Sequence, residues 1–327
     1  MSKLKKKPIV LFVPALIVLY IIIYIIPTVT GALVSSYTVE YGEMKVFDET
    51  TGYLVRDEKV YTAGSGGRAN RYIKNGTLVR KGTAIMEVSG GADSEIDSRF
   101  TDLLTRLSGS EVSTNSYTVK DGGVVSYYAD GYESRLTPKT MEKGDYSYYS
   151  KISEDNVIDL KRKNIAEGEP VFRIVDRTEW YIVCFVPEEH LDRYEEGSSV
   201  TAEFEDDSVE AEVYSVSKDR DGEHGRVILS VGNYYENYTK TRACPVSLVT
   251  YDEKGLLLEN DSITEEDGQK GVYVRNKTGD YYFVPVKIYA TDGEFSLVAD
   301  TMYFDEKGEQ VMTVEIYDEI LKNPKKK

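Results

Sequence analysis

The apolar positions of this chain fall into short runs set off by glycine, and two passages repeat one arrangement. The first reads Gly66, Gly67, Arg68, Ala69, then Asn75-Gly76, Val79, Gly82, Ile85 and Val88. The second reads Gly122, Gly123, Val124, Val125, then Asp130-Gly131, Ile165, Gly168, Val171 and Ile174. From Val79 and from Ile165 onward the spacing is the same, with glycine, apolar and apolar residues following at equal intervals. Each copy predicts short strands joined by glycine turns, with Asn75-Gly76 and Asp130-Gly131 as hairpin signals. One copy alone buries too little apolar surface to be stable. The two are therefore expected to pack face to face as a small sandwich, with Val79, Ile85, Val88, Val171 and Ile174 inside.

Around this repeat the pattern changes several times. Residues 37–62 alternate apolar and polar positions (Val39, Tyr41, Met44, Val46, Tyr53, Val55, Val60) and predict a strand pair turning near Thr51-Gly52. Between the half-sandwiches, Phe100, Leu103, Leu104 and Leu107 recur at helical spacing and predict one amphipathic helix over 97–107, closed by Gly109. Residues 130–164 are rich in polar side chains and tyrosine, include Pro138 and Gly144, and read as a surface loop or lid. Tyr146, Tyr148 and Tyr149 there are candidates for recognition, against the plainer reading of half-buried packing residues. From residue 179 the pattern is that of an antiparallel barrel: a buried strand over 180–186, a short helix over 187–193 with proline in its first turn, then strands over 199–204, 209–217, 226–231 and 244–251. Further strands are expected over 272–274, 281–288, 295–298 and 311–317.

Near the start, residues 9–26 are apolar apart from Pro14 and two tyrosines, and follow Lys3, Lys5, Lys6 and Lys7. Such a run is long enough to span a bilayer as a helix, with Ile9, Leu16, Ile22 and Ile26 on the anchor. The preceding lysines predict a cytoplasmic N-terminus and an extracytoplasmic body. An uncleaved anchor is preferred to a signal peptide because 28–36 shows no convincing small-x-small cleavage site.

Composition narrows the function. A net charge of -16 over 327 residues argues against nucleic acid as a partner, since binding it needs clustered Lys and Arg. Cys184 and Cys244 are the only cysteines and His190 and His224 the only histidines, too few for a close-spaced metal cage. Two buried thiols are the favoured reading of the cysteines, with a disulfide as the alternative that an oxidising compartment permits. Glycines 64–67 lack the Lys-Ser/Thr ending of a phosphate loop. Glu188, Glu189 and His190 are adjacent and cannot share a helix face. Asp219-Arg220-Asp221-Gly222 resembles a calcium loop but has Ser217 and Ile228 where acidic ligands are needed, and reads as a hairpin turn. Nothing in the sequence assembles a catalytic set, and no enzyme activity or cofactor is expected.

The stretch 67–88 (GRANRYIKNGTLVRKGTAIMEV) resembles the first half of a lipoyl-like, or barrel-sandwich hybrid, domain; 118–131 with 165–176 (IAEGEPVFRIVD) resembles the second. The run WYIVCFVPEEHLDRYEEGSSVTAEF resembles the opening of the β-barrel domain that follows it in the membrane fusion proteins, the HlyD-like periplasmic adaptors. The resemblance implies a mainly β chain: a basic tail (1–7), a transmembrane helix (8–28) and a strand segment (29–62) that pairs with the membrane-proximal domain. Sandwich halves (63–89, 117–178) enclose a short helical insertion (90–116) in place of the family's long hairpin. A β-barrel (179–251), a membrane-proximal domain (252–317) and a second basic tail (318–327) complete it. The halves lack the tight lysine-bearing hairpin of lipoyl and biotinyl carriers, so no swinging arm is expected. The family implies a non-catalytic adaptor of an export or efflux assembly. It would be anchored in the membrane, form a homo-oligomer and contact an inner-membrane transporter, often ATP-driven (ABC type). The insertion residues Phe100, Leu103, Leu104 and Leu107 would form a candidate interaction tip. The alternative is an envelope scaffold for cell division or wall assembly that reuses the same modules.

Overall fold

The computed structural model describes residues 14, 16–21, 35–91, 95–153, 156–233 and 239–324. Of the anchor positions only Leu16 is among these; it is helical and exposed, while Ile9, Ile22 and Ile26 lie outside the described residues. Among the described residues no helix is long and apolar enough to cross a membrane. The chain forms two compact units, 47–250 and a second made of 1–46 with 251–327.

In the first unit the two half-motifs interleave. Strands Leu78–Val79, Gly123–Ser126, Pro170–Val175, Glu58–Ala63 and Val112–Thr114 form one sheet in that order. Asn164–Ile165, Gly67–Arg71 and Met86–Ser89 form the other. The predicted core is present: Val79, Ile85, Val171 and Ile174 are buried together with Tyr61, Val125 and Phe172, and Val88 packs against them. Gly82 and Gly168, the repeat glycines, hold matching left-handed φ angles of 84° and 82° at equivalent turns, a conformation that a Cβ disfavours.

Two expected hairpins take another form. Asn75-Gly76 makes its turn, with Gly76 at φ 78°, but the strands on either side belong to different sheets. Tyr128–Ala129, before Asp130-Gly131, pairs with Ile158–Asp159 far downstream. Leu78–Val79 of the first half pairs with Gly123–Ser126 of the second, and Gly67–Arg71 with Asn164–Ile165, so local turn chemistry does not decide the partner. Thr51-Gly52 is likewise no turn: Glu40–Val55 runs straight through it. A Cβ on Gly52 would meet Ile182 and Val246 side-chain atoms at 3.0 Å, so the glycine there serves close packing.

The barrel consists of Ser199–Glu203, Ser208–Lys218, His224–Val231, Trp180–Pro187 and portions of Glu40–Val55 and Ala243–Glu259, closed by pairing of Thr201 with Val249. Strand Trp180–Pro187 is buried from end to end except at Pro187, because its alternate residues face two cores. Trp180, Ile182, Cys184 and Val186 enter the barrel interior, while Tyr181, Val183 and Phe185 join Tyr53, Val55, Leu136, Met141 and Tyr149. Residues 130–164 are thus more than a surface loop: their apolar side chains fill this second core, and Tyr149 is fully buried. A 3-10 helix spans Glu188–Arg193, and a hairpin joins Ser208–Lys218 to His224–Val231 as expected, with Gly222 at φ 73°. Cys184 and Cys244 form no disulfide.

In the second unit, strand Ser36–Thr38 pairs with Glu319–Leu321, beside Gln269–Arg275 with Thr264–Glu266 and Tyr281–Pro285. Val39, Leu256, Leu258, Val272, Val274, Val298, Val314 and Ile320 form its core. The strand expected over 281–288 is two, Tyr281–Pro285 and Ile288–Thr291, which lie in different sheets. Of 311–317 only the first residues are extended, in Gln310–Met312, which pairs with Met302–Phe304.

Candidate functional site

The insertion between the half-motifs contains helix Ser98–Leu107, close to its expected bounds. Asp97 caps it by accepting a hydrogen bond from the Arg99 backbone N–H at 3.1 Å, and Ser108 ends it in the left-handed region before Gly109. The resemblance makes its apolar stripe a candidate interaction tip. The structure instead covers it from within: Phe100, Leu103 and Leu107 are fully buried with Val60, Ala129 and Leu160, and Leu104 packs at the edge. Burial of three large side chains outweighs leaving them to await a partner. Arg106 reinforces the seat by donating to the Asp130 carbonyl at 2.6 Å. What the insertion offers outward is the polar face of the helix, including Thr101, Asp102 and Thr105.

Behind this helix lies a feature with no signature in the sequence. Arg56, Glu58, Asp130, Glu133, Arg173 and Arg242 are all buried and meet in one cluster. Arg173 Nη1 donates to Glu58 Oε2 at 3.0 Å and to Glu133 Oε1 at 3.1 Å. Arg242 donates to Asp130 Oδ2 and to Glu58 Oε2, both at 2.8 Å, and Arg56 pairs with the other Glu58 oxygen. The guanidiniums also tie distant backbone together: Arg242 reaches the Leu54 carbonyl at 3.0 Å and Arg56 the Thr241 carbonyl at 2.9 Å. The Glu133 carboxylate accepts from the backbone N–H groups of Asp130 and Gly131 at 2.9 and 2.8 Å. Three cations thus face three carboxylates where water is excluded, an arrangement that only near-complete pairing can sustain.

The carboxylates respond differently. Burial opposes the charge of Glu58, but Arg173, Arg242 and Arg56 outweigh it and hold its carboxyl well below the ordinary range. Asp130 is also lowered, its burial outweighed chiefly by Arg242. Glu133 is raised, by burial first and then by the Asp130 charge beside it. Glu58 and Arg173 lie in sandwich strands, Arg56 and Arg242 directly flank Glu40–Val55 and Ala243–Glu259 of the barrel, and Asp130 and Glu133 open the 130–164 segment, so the cluster pins these together.

The cluster at 188–190 has no metal-binding arrangement. His190 Nδ1, Arg193 and the Tyr194 hydroxyl converge on buried Asp48, at 2.5, 3.0 and 2.7 Å. Among the described residues no group of His, Cys, Asp and Glu could hold a metal ion. Chemically, these arrangements join elements of the chain to one another.

A split barrel-sandwich hybrid that leads directly into a six-stranded barrel is the framework of the membrane fusion proteins. Two family models match the chain: the RND-related barrel-sandwich hybrid domain over residues 58–176 and the RND-related β-barrel domain over residues 180–252. Together they cover more than half of the chain, which belongs to the RND-related members of the membrane fusion protein, or HlyD-like adaptor, family. Solved structures similar to this chain include MacA from Actinobacillus actinomycetemcomitans, 14% identical over 86% of this chain and 100% of that one, with a TM-score of 0.38. ZneB from Cupriavidus metallidurans is 11% identical over 88% and 92% of the two chains, with a TM-score of 0.28. The membrane fusion protein Spr0693 from Streptococcus pneumoniae R6 is 10% identical over 62% and 97%, with a TM-score of 0.28. No curated protein matches the chain.

Proposed function

We propose that the chain is a non-catalytic, extracytoplasmic adaptor subunit of an export assembly, anchored by residues 8–28, that acts by forming a homo-oligomer and contacting an inner-membrane transporter, with the ATP-driven kind as the first expectation. The observation that carries this reading is the uninterrupted succession of a barrel-sandwich hybrid domain and a β-barrel domain over residues 58–252, characteristic of the family. The buried charges are used to neutralise one another, and the insertion is a packed helix that cannot reach across a wide envelope. At about 1.5 Å per residue, ten residues of helix extend about 15 Å, which suits contact close to the sandwich.

Cross-linking of the full chain in native membranes, followed by purification and mass spectrometry, tests the proposal. The expected result is a transporter permease as the main partner, together with products linking two or more copies of the chain. Recovery of wall-synthesis or division proteins with no permease would replace the adaptor with an envelope scaffold.

A further inference from the structure

A cavity of 510 Å³ opens beside the barrel, lined by Glu49, Thr50, Thr51, Tyr53, Tyr146, Phe185, Pro187, Glu223 and His224. Its volume falls within the range of small-molecule sites. Three aromatic rings form its apolar wall. Tyr146 meets Phe185 edge-on with centroids 5.5 Å apart, and Tyr53 meets Phe185 at 6.4 Å. Tyr146 is held in place twice over: its ring stacks on His224 at 3.8 Å with an interplanar angle of 15°, and its backbone N–H donates to Asp219 Oδ2 at 3.1 Å. His224 is fixed in turn by Asp221, 2.7 Å from its Nδ1. The aromatic wall is therefore formed before any ligand arrives.

The polar lining is of one sign. Glu49 and Glu223 are exposed at the cavity, neither forms an ion pair among the described residues, and no lysine or arginine lines it. Tyr53 is 5% exposed and lines the cavity beside these carboxylates. Burial pushes this phenol up to about 12, so the hydroxyl stays neutral and able to accept or donate.

Aromatic faces attract cations through their quadrupoles, and unpaired carboxylates supply net negative charge. We propose that this cavity binds a small organic cation of the quaternary-ammonium type, its cationic head among Tyr53, Tyr146 and Phe185, with Glu49 and Glu223 supplying the counter-charge. Such a site lies outside the adaptor role proposed above and stands or falls independently of which partner is recovered.

Choline and its uncharged isostere 3,3-dimethylbutan-1-ol provide the test, each titrated calorimetrically into the full chain in a non-ionic detergent. Choline should bind saturably and at least tenfold more tightly than the isostere. Tyr146→Ala, at a half-exposed position where the fold should persist, should weaken choline about tenfold. Glu49→Gln with Glu223→Gln should weaken choline and leave the isostere unchanged. Tyr53→Phe, which removes only the hydroxyl, should weaken binding while leaving the melting temperature unchanged. Equal binding of the two probes, absence of saturable choline binding, or choline binding indifferent to Tyr146→Ala and to the double carboxylate variant would each overturn the assignment.

Discussion

Replacing Glu58 by glutamine should be among the most destabilising single changes of one side chain to a near-isostere in this protein. The volume hardly changes, but three buried guanidiniums would then face two carboxylates instead of three. Oε2 of Glu58 accepts from both Arg173 and Arg242, and Oε1 pairs with Arg56, so every cation of the cluster loses a counter-charge and one oxygen's acceptor is replaced by a donor. Removing one partner from a buried ion pair costs about 3–5 kcal/mol, because the charge left behind has neither water nor counter-charge. In a unit spanning residues 47–250, each kcal/mol shifts the melting temperature by about 2–4 °C, so a fall of roughly 6–20 °C is expected at pH 7. Glu133→Gln is the control. Burial and the Asp130 charge raise its carboxyl, so the fold opposes this charge, and glutamine, which removes it together with one backbone acceptor, should cost less than the change at Glu58. The pH dependence has opposite signs at the two sites. The folded value of Glu58 is depressed, so its contribution is complete above the ordinary carboxylate pKa of about 4.3 and is lost as pH falls below it. Glu58→Gln should therefore flatten the acid limb of the wild-type stability curve. The folded value of Glu133 is raised, so its contribution is complete below that ordinary pKa and is lost as pH rises through the folded value, and Glu133→Gln should leave the acid limb in place. Thermal unfolding followed by circular dichroism from pH 3 to 8 measures all of this. Equal losses for the two variants, or a larger loss for Glu133→Gln, would refute the charge assignment.

Three other outcomes are expected. Val171→Asp places an unpaired carboxylate at a fully buried position between the sandwich sheets and should cost several kcal/mol, read as a much lower melting temperature; an unchanged one would mean the halves do not pack there. Phe100→Ala should cost about 3–5 kcal/mol by opening a cavity against Val60, Ala129 and Leu160, whereas Thr101→Ala on the polar face should leave stability within about 0.5 kcal/mol; denaturant titration that reversed this order would make the helix peripheral to the fold. Protease added to intact, wall-stripped cells should digest the body after residue 28, and complete protection until lysis would reverse the proposed topology.

Much of the local structure is legible in the sequence. Asp97 and the spacing of Phe100, Leu103 and Leu107 determine a helix close to Ser98–Leu107, because capping and amphipathic periodicity act within a few residues. Gly82 and Gly168 determine equivalent turns, because only glycine takes positive φ without cost to its side chain. The aromatic run 180–186 determines a strand buried on both faces, since no position in it tolerates water. The two repeated half-motifs and the barrel opening even disclose the family, because their glycine and apolar spacings are local.

Tertiary structure alone decides what those elements meet. Thr51-Gly52 has the composition of a turn, yet the approach of Ile182 and Val246 makes it the middle of a strand. The stripe of Phe100, Leu103 and Leu107 could equally have served a partner until Val60, Ala129 and Leu160 closed over it. The charged cluster draws on residues 56–58, 130–133, 173 and 242, and no interval between them carries a periodicity that reading along the chain would detect. In sequence each of those arginines and carboxylates looks like a solvated surface charge. Pairing across the fold is what makes their burial possible, and Coulomb attraction in a water-poor interior depends on distance in space, to which separation along the chain is no guide.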